Sequence, residues 1–368
     1  MIMRLLNTTL FLLLLGNTTF SQEHDTLLTE TARYIAGIPC ETEYFKTLQQ
    51  KSFYKAHSDF CAKSWEELSD STLNPMVKWA TEKNIIETCD TNTCFYPFSG
   101  PDILFAVQFF PYCSNYIMMG LERLGTMPDL KKLNEQQLSD YLGALRQSQR
   151  YLLKSGYFVT SHMSQDFSKS TLNGNIHLMA YFLIRTGFLF RKIEYGGIDS
   201  RGDFFTSKNN QGSGYFQGMR IEVVRKNEML TKTVHYFSFD AADYKISAKS
   251  EFKLFVEKKK GFCTYIKSAS YIPAHKNFSV VRNLILQHSD KILQDDTGVP
   301  YKNIVPEQFE INLWGTYTKT IKDLSWGYDP ELRKALEASG NNAPLPFKIS
   351  YNGNYGEGMM LYAKRKKN

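Results

Sequence analysis

Four side chains have the types and settings that acid/base chemistry asks for: Asp102, His275, Asp295 and Asp296. Carboxylates and imidazoles transfer protons usefully near neutral pH when burial or a neighbouring charge tunes them toward it. Asp296-Thr297-Gly298 is the tripeptide in which aspartic proteases carry a catalytic carboxylate, but those enzymes pair two copies and this chain has one. Its own residues describe a turn, with Asp side chains bonding local amides and Gly298 at positive φ. His275, in Pro273-Ala-His-Lys276, falls in a loop between a predicted strand and a predicted helix, a common place for catalytic groups. Asp102 follows Ser99-Gly-Pro101, residues suited to a helix entry, where its charge complements the helix dipole. Brought to one cleft, with Tyr96, Ser99 and Tyr301 against a ligand, these groups would equip a hydrolase or transferase using general acid/base chemistry.

Other chemistries lose their motifs. The seven histidines show no His-x-His or His-Glu-x-x-His spacing, and Asp295-Asp296 lacks the spacing of a calcium loop, so no metal site is expected. There is no Gly-x-Ser-x-Gly elbow, and Ser52-Phe-Tyr-Lys55 lacks the companions of a Ser-x-x-Lys enzyme. Gly353-Asn-Tyr-Gly-Glu-Gly358 has neither dinucleotide-binding spacing nor a phosphate-loop lysine, which leaves any cofactor unknown. Arg201-Gly-Asp203 sits in a Gly/Asn loop whose turn chemistry explains it. The net charge is +7, and seven positive charges fall in two runs, Lys258–Lys260 and Lys364–Lys367. Basicity so localised argues against a nucleic-acid groove and allows at most a peripheral contact of the C-terminal tail with an anionic membrane. With 26 Phe and 22 Tyr against 4 Trp, the aromatic content reads as core rather than as a sugar-stacking platform.

The first residues read as a signal for export. Arg4, the apolar run Leu10 to Leu15, and small Thr19 and Ser21 predict a secretory signal over residues 1–21 and a periplasmic or extracellular protein. Six cysteines in such a compartment favour disulfides, and the expected pairs are Cys89 with Cys94, Cys40 with Cys61, and Cys113 with Cys263. The predicted organisation is a helical region over 22–90 and a mixed α/β domain over 91–368, with a possible sub-boundary in the 199–214 loop. The fold class is α/β or α+β, a mixed sheet flanked by helices. Within it, Phe95 to Pro111 predicts a short buried helix entered through Pro101, with the prolines forbidding regular structure ahead of it. Asn115–Leu121 predicts a core strand. Leu138 to Leu152 predicts an amphipathic helix capped by Asn134 with Gln137 and stopped by Gly156. Ile176–Thr186 predicts a helix, Phe188–Ile198 a strand, and Met219–Val224 with Thr231–Phe239 a hairpin. Strands at Phe262–Ser268, Lys291–Gln294, Phe309–Tyr317, from Pro344 and at Gly358–Lys364 alternate with helices near Val256, Ile285 and Pro330.

Phe95-Tyr-Pro-Phe-Ser-Gly-Pro-Asp102, Phe109-Phe-Pro111, Gly120-Leu-Glu122, Arg185-Thr-Gly187, Tyr265-Ile-Lys-Ser-Ala-Ser-Tyr271 and Gln294-Asp-Asp-Thr-Gly-Val-Pro-Tyr301 resemble a family of exported bacterial proteins of the Bacteroidetes type. The resemblance spans most of residues 90–365. It implies an envelope setting and brings no established activity. The expectation is therefore an envelope protein for binding or assembly, with an unidentified ligand or envelope protein as partner and acid/base catalysis as the alternative.

Overall fold

The computed structural model describes residues 24–86, 92–158, 160–167, 171–207, 217–226, 228, 230–246, 251–259, 261–353 and 356–367. The expected signal at 1–21, Cys89 and part of the 199–214 loop lie outside them. Helices α1 (Thr26–Ile35), α2 (Glu43–Gln49), α3 (Ser52–Leu68) and α4 (Asn74–Glu82) come first. They are followed by β1 (Thr93–Tyr96), α5 (Ile103–Phe109), β2 (Asn115–Gly120), α6 (Glu135–Ser155), α7 (Thr160–Asp166) and α8 (Ile176–Arg185). Next are β3 (Phe188–Ile198), β4 (Phe204–Thr206), β5 (Gln217–Arg225), β6 (Lys232–Ser238), α9 (Glu251–Glu257) and β7 (Phe262–Ile266). The chain ends through α10 (Ser279–His288), β8 (Ser289–Gln294), β9 (Phe309–Thr316), α11 (Pro330–Ser339) and β10 (Gly358–Arg365). The fold is α/β, with helices leading at the N-terminus.

All ten strands form one sheet in the order β4-β3-β5-β6-β2-β1-β7-β8-β10-β9. Its middle, β6-β2-β1-β7-β8, is parallel throughout. Antiparallel pairs extend it on both sides, β5 on β6 and β10 on β8. From β1 the chain turns to β2 on one side, and after β6 it returns to β7 on the other. That reversal is where doubly wound sheets open a crevice beyond the carboxyl ends of their strands.

Alternation along the strands builds two layers of core. Cys94, Tyr96, Tyr116, Met118, Cys263, Tyr265, Met360 and Tyr362 face the helices of the N-terminal half, α1, α3, α4, α5, α6 and α8. Phe95, Ile117, Met119, Phe262, Ile266, Met359 and Leu361 face α9, α10 and α11. Helices on both faces are what a parallel sheet requires, because neither face of it tolerates water. The N-terminal helices share one continuous apolar cluster with the sheet.

Helix α6 starts at Asn134, whose side chain takes the Gln137 amide while Gln137 reaches back, and it stops at left-handed Gly156. Both ends are as expected. Three local expectations fail. Thr93–Tyr96 is a strand, central and wholly buried, where the neighbouring prolines had argued for irregular chain. The segment from Pro344 forms no strand. Asp102 stands outside α5, and its side chain makes no capping bond. Among the described cysteines, Cys40, Cys61, Cys94 and Cys113 are buried thiols and Cys263 is disulfide-bonded, while Cys89 of the expected Cys89–Cys94 pair lies outside the described residues. Cys94 lies directly beside Cys263 in the β1–β7 register.

Because the Asn134 cap satisfies amides that the first turn of α6 otherwise leaves to water, Asn134→Ala should lower the unfolding free energy by about 1 kcal/mol, read as a fall in the urea midpoint at constant slope.

Candidate functional site

The carboxyl ends of the parallel strands surround a cleft of about 510 Å³, lined among others by Tyr96, Ser99, Asp102, Glu122, Lys267 and Tyr351. Each polar member has a structural reason to be there. Lys267 follows Tyr265 at the spacing that keeps it on the α5 side of the sheet, where Asp102 and Phe105 wait. Its Nζ lies 2.6 Å from Asp102 Oδ2, with side chains 1% and 4% exposed. It also donates to the Gly156 carbonyl at the end of α6 and sits 3.6 Å from the Phe105 ring centre. Burial lowers the Lys267 pKa, opposed by the charges of Asp102 and Asp295. The Tyr96 hydroxyl donates 3.1 Å to the same Asp102 oxygen. Asp102 Oδ1 is buried with no donor among the described residues.

Glu122 belongs to the neighbouring strand end. Gly120 closes β2, Leu121 points out and Glu122 turns in, where its Oε2 takes the Tyr236 hydroxyl of β6 at 3.1 Å. A Cβ on Gly120 would lie 2.5 Å from the Glu122 carboxylate and 2.7 Å from the Tyr236 hydroxyl, so only glycine leaves room for that pair.

Behind the cleft lie the two aspartates at the end of β8. Asp295 is enclosed, taking the Ser268 amide at 2.7 Å, the Thr297 amide at 2.8 Å and the Thr297 hydroxyl at 2.6 Å; burial raises its pKa against these bonds. Asp296 turns into a separate hollow of about 280 Å³ lined by Tyr271, Trp326, Tyr328 and Asp329. There it accepts from Tyr271 and, at 2.6 Å, from Ser350. Burial, then the charge of Asp295, pushes its pKa up to about 7. The expected turn is present, but Gly298 is not at positive φ: a Cβ there would meet the Gln294 side chain at 2.4 Å, so close packing demands the glycine.

The loop between the two hollows is strained. Ser268, Ser270 and Tyr271 have φ of 51°, 51° and 56°, and Phe98 and Ser350 nearby have 59° and 63°. Asn84 is the one other such non-glycine residue described. Each left-handed side chain of this kind costs about 1–3 kcal/mol and persists where its surroundings dictate it. Here Tyr351 does so, its hydroxyl accepting from the Ser270 amide at 3.0 Å and donating to the Ser268 carbonyl at 2.6 Å.

Of the residues expected from sequence, Asp102, Tyr96 and Ser99 line the cleft, although the Ser99 hydroxyl is directed to the Gly100 and Met119 carbonyls rather than to a helix end. Asp295 underlies it and Asp296 occupies the neighbouring hollow. His275 joins neither: it is exposed, accepts the Asn277 amide and sits near Phe278 and Trp326. Tyr301 packs against the α10–α11 core layer. The four-residue constellation of Asp102, His275, Asp295 and Asp296 is therefore not assembled. Lys267 and Glu122 are the charged residues of the cleft that the sequence reading did not single out as candidates, although both lie in segments that carried the family resemblance. Among the described residues no three His, Cys, Asp or Glu side chains are placed to hold a metal ion.

The chain matches no protein-family model, no curated protein and no solved structure.

Removing the cation from a buried pair strands the anion, so Lys267→Met should cost about 3–5 kcal/mol in urea unfolding, and the double variant Lys267→Met/Asp102→Leu should regain most of it. Asp296 binds its proton more tightly folded than unfolded, which stabilises the fold below its ordinary pKa of 3.8 and loses that contribution as pH rises toward about 7. Relative to wild type, Asp296→Asn should therefore gain stability from pH 4 to about pH 7 and level off above it, read as the difference between the two melting curves across that range.

Proposed function

We propose that the chain binds a polyhydroxylated small molecule, a sugar or nucleoside, in the cleft at the strand reversal. The observation that carries this reading is the floor of the cleft: two buried carboxylates from adjacent strand ends, of which Asp102 has an oxygen, Oδ1, with no donor among the described residues. Among the described residues that line it, the one cation on that floor, Lys267, is already committed to Asp102, Gly156 and the Phe105 ring. A floor of acceptors asks for a ligand rich in donors, which hydroxyls supply and phosphates do not. Glu122 stands about 20 residues past the β1 turn, the place where doubly wound sheets set the acid that takes ribose hydroxyls. The turn itself, Pro97-Phe-Ser-Gly-Pro101, has one glycine and two residues without an amide, so it offers no cradle for a pyrophosphate.

The setting we propose is the cell envelope, on the strength of the apolar leader and the family resemblance. A protein partner is the alternative occupant of the same role. Catalysis is the second reading, favoured by one observation, the Asp296 carboxyl with a pKa near 7 against the Tyr271 hydroxyl in a hollow of its own.

A panel of hexoses, pentoses and nucleosides read by thermal shift decides between them. At least one member should raise the melting point in proportion to the logarithm of its concentration. Glu122→Gln, which keeps an acceptor for Tyr236 but loses the charge, should weaken that ligand about tenfold or more. A panel that leaves the melting point unmoved would sink the small-molecule reading and turn attention to a protein partner.

A further inference from the structure

The smaller hollow, into which Asp296 turns, holds negative charge without a matching cation. Asp296 follows Asp295 directly, and its two oxygens take the hydroxyls of Tyr271 and Ser350; among the described residues no lysine or arginine pairs with it. Burial and the charge of Asp295 raise its pKa, as happens to a carboxyl set beside a like charge with no counter-ion. Asp329 and exposed Glu331 line the same hollow, and exposed Lys302 is the one basic residue among those described there, so carboxyl groups outnumber ammonium groups three to one. The start of α11 also borders it and would draw an anion, but its amides are already taken: Asp329 accepts from Glu331 and Leu332, and Pro330 has none to give. Three rings complete the lining. Tyr271 and Trp326 meet edge to face at 6.0 Å, and Tyr328 is backed by Tyr317 in a stack at 5.5 Å. A Cβ on Gly327 would come within 2.2 Å of the Tyr271 ring, so only glycine lets the chain carry Trp326 past that ring and on to Tyr328. Trp326 itself stays 55% exposed. Folding gains little from an indole left in water, whereas a ligand in the hollow would meet it.

We infer that this hollow binds a methylated ammonium group, a trimethylammonium head, with Asp296 as its counter-ion and the Tyr271, Trp326 and Tyr328 rings against its methyls. The site is separate from the larger cleft and does not rest on the polyol reading. Charge sets the sign of the ligand, because an anion would face the excess of carboxyl groups while a cation is drawn both to them and to aromatic faces. Volume sets the size. About 280 Å³ lies at the lower end of what ligand pockets span, room for a head group of a few heavy atoms. The hydrogen bonds already made set the degree of methylation. Each Asp296 oxygen holds a hydroxyl, so the cation is kept by charge and ring contact more than by donated N–H bonds, which suits a nitrogen that carries methyls instead of hydrogens.

The experiment is calorimetric titration of the full chain at pH 8 with tetramethylammonium, choline, ethanolamine as the unmethylated counterpart of choline, and dimethylbutanol as its neutral carbon isostere. At least one methylated cation should bind, and the neutral isostere should bind about tenfold more weakly or not at all. Trp326→Ala, at an exposed position that folding does not depend on, should weaken the cation about threefold or more. Asp296→Asn, which keeps the shape of the side chain and removes its charge, should weaken it about tenfold or more. Melting curves establish that both variants are folded, and Trp326→Ala carries the test alone if Asp296→Asn is not. Equal affinity for choline and its neutral isostere would overturn the inference. Tighter binding of ethanolamine than of choline would also overturn it, since that marks a site built on N–H donors. So would binding that neither variant changes, which would lie elsewhere on the chain, and so would the absence of binding by any of the cations. None of these results bears on the sugar and nucleoside panel, so the two readings stand or fall separately.

Discussion

The structure depends most on one ion pair, Lys267 with Asp102. It joins the end of β7 to the entrance of α5, and through the Gly156 carbonyl it also holds the end of α6, so three segments far apart in the chain meet on one ammonium. Stability alone does not explain it. Two charges stripped of water recover in their attraction roughly what they lose in hydration, and an apolar pair of similar volume often serves a fold as well or better. What an apolar pair cannot do is hold a carboxylate at the floor of a cleft with one oxygen bound and the other without a donor. Lys267 saturates Oδ2, together with Tyr96, and leaves Oδ1. The cost of burying the pair is then intelligible as the cost of keeping that oxygen in place.

The same edge of the sheet carries nearly all the backbone strain described. The parallel strands are short, regular and buried on both faces, and they hand their chains to loops in which Phe98, Ser268, Ser270, Tyr271 and Ser350 take left-handed conformations. Rigid strands make such loops tolerable because their ends cannot relax the strain by moving. Ser350 and Tyr351 act as a clamp from the far side, the first on Asp296 and the second on the Ser268–Ser270 backbone. The loop so held is the wall between the two hollows.

Much of the framework was legible because its signals are local. The Asn134–Gln137 pair and Gly156 mark both ends of α6, the Phe188–Ile198 run stands in the structure with those bounds, and the β5–β6 hairpin follows from two apolar runs. The central strand was hidden for a physical reason. Thr93–Tyr96 is four residues long, buried on both faces and so without alternation, and it ends at Pro97. The floor of the cleft was hidden for another. Lys267 reads in sequence as an ordinary surface lysine after a strand, and its partner lies in a different βα unit; only the placement of β1 beside β7 brings them together. Glu122 was visible in a motif, but its inward turn depends on Gly120 leaving space for Tyr236 of a strand more than a hundred residues away. Asp102 was read as a helix-dipole charge because its local sequence suits that role, and a tertiary partner claimed it instead.

The division of the acidic residues between two hollows argues for binding ahead of catalysis. A general acid and a general base must both reach the reacting atoms. Asp102 and Glu122 share one hollow and Asp296 lies in the other, with the strained loop between them and His275 outside both. The remaining proton carriers at the larger floor are already engaged. Tyr96 directs its proton at Asp102, and Lys267 is held between Asp102, the Gly156 carbonyl and the Phe105 ring. A floor built this way offers fixed negative charge and acceptor oxygens. Those are the means of recognising hydroxyls, and they are well suited to holding a molecule that is not transformed.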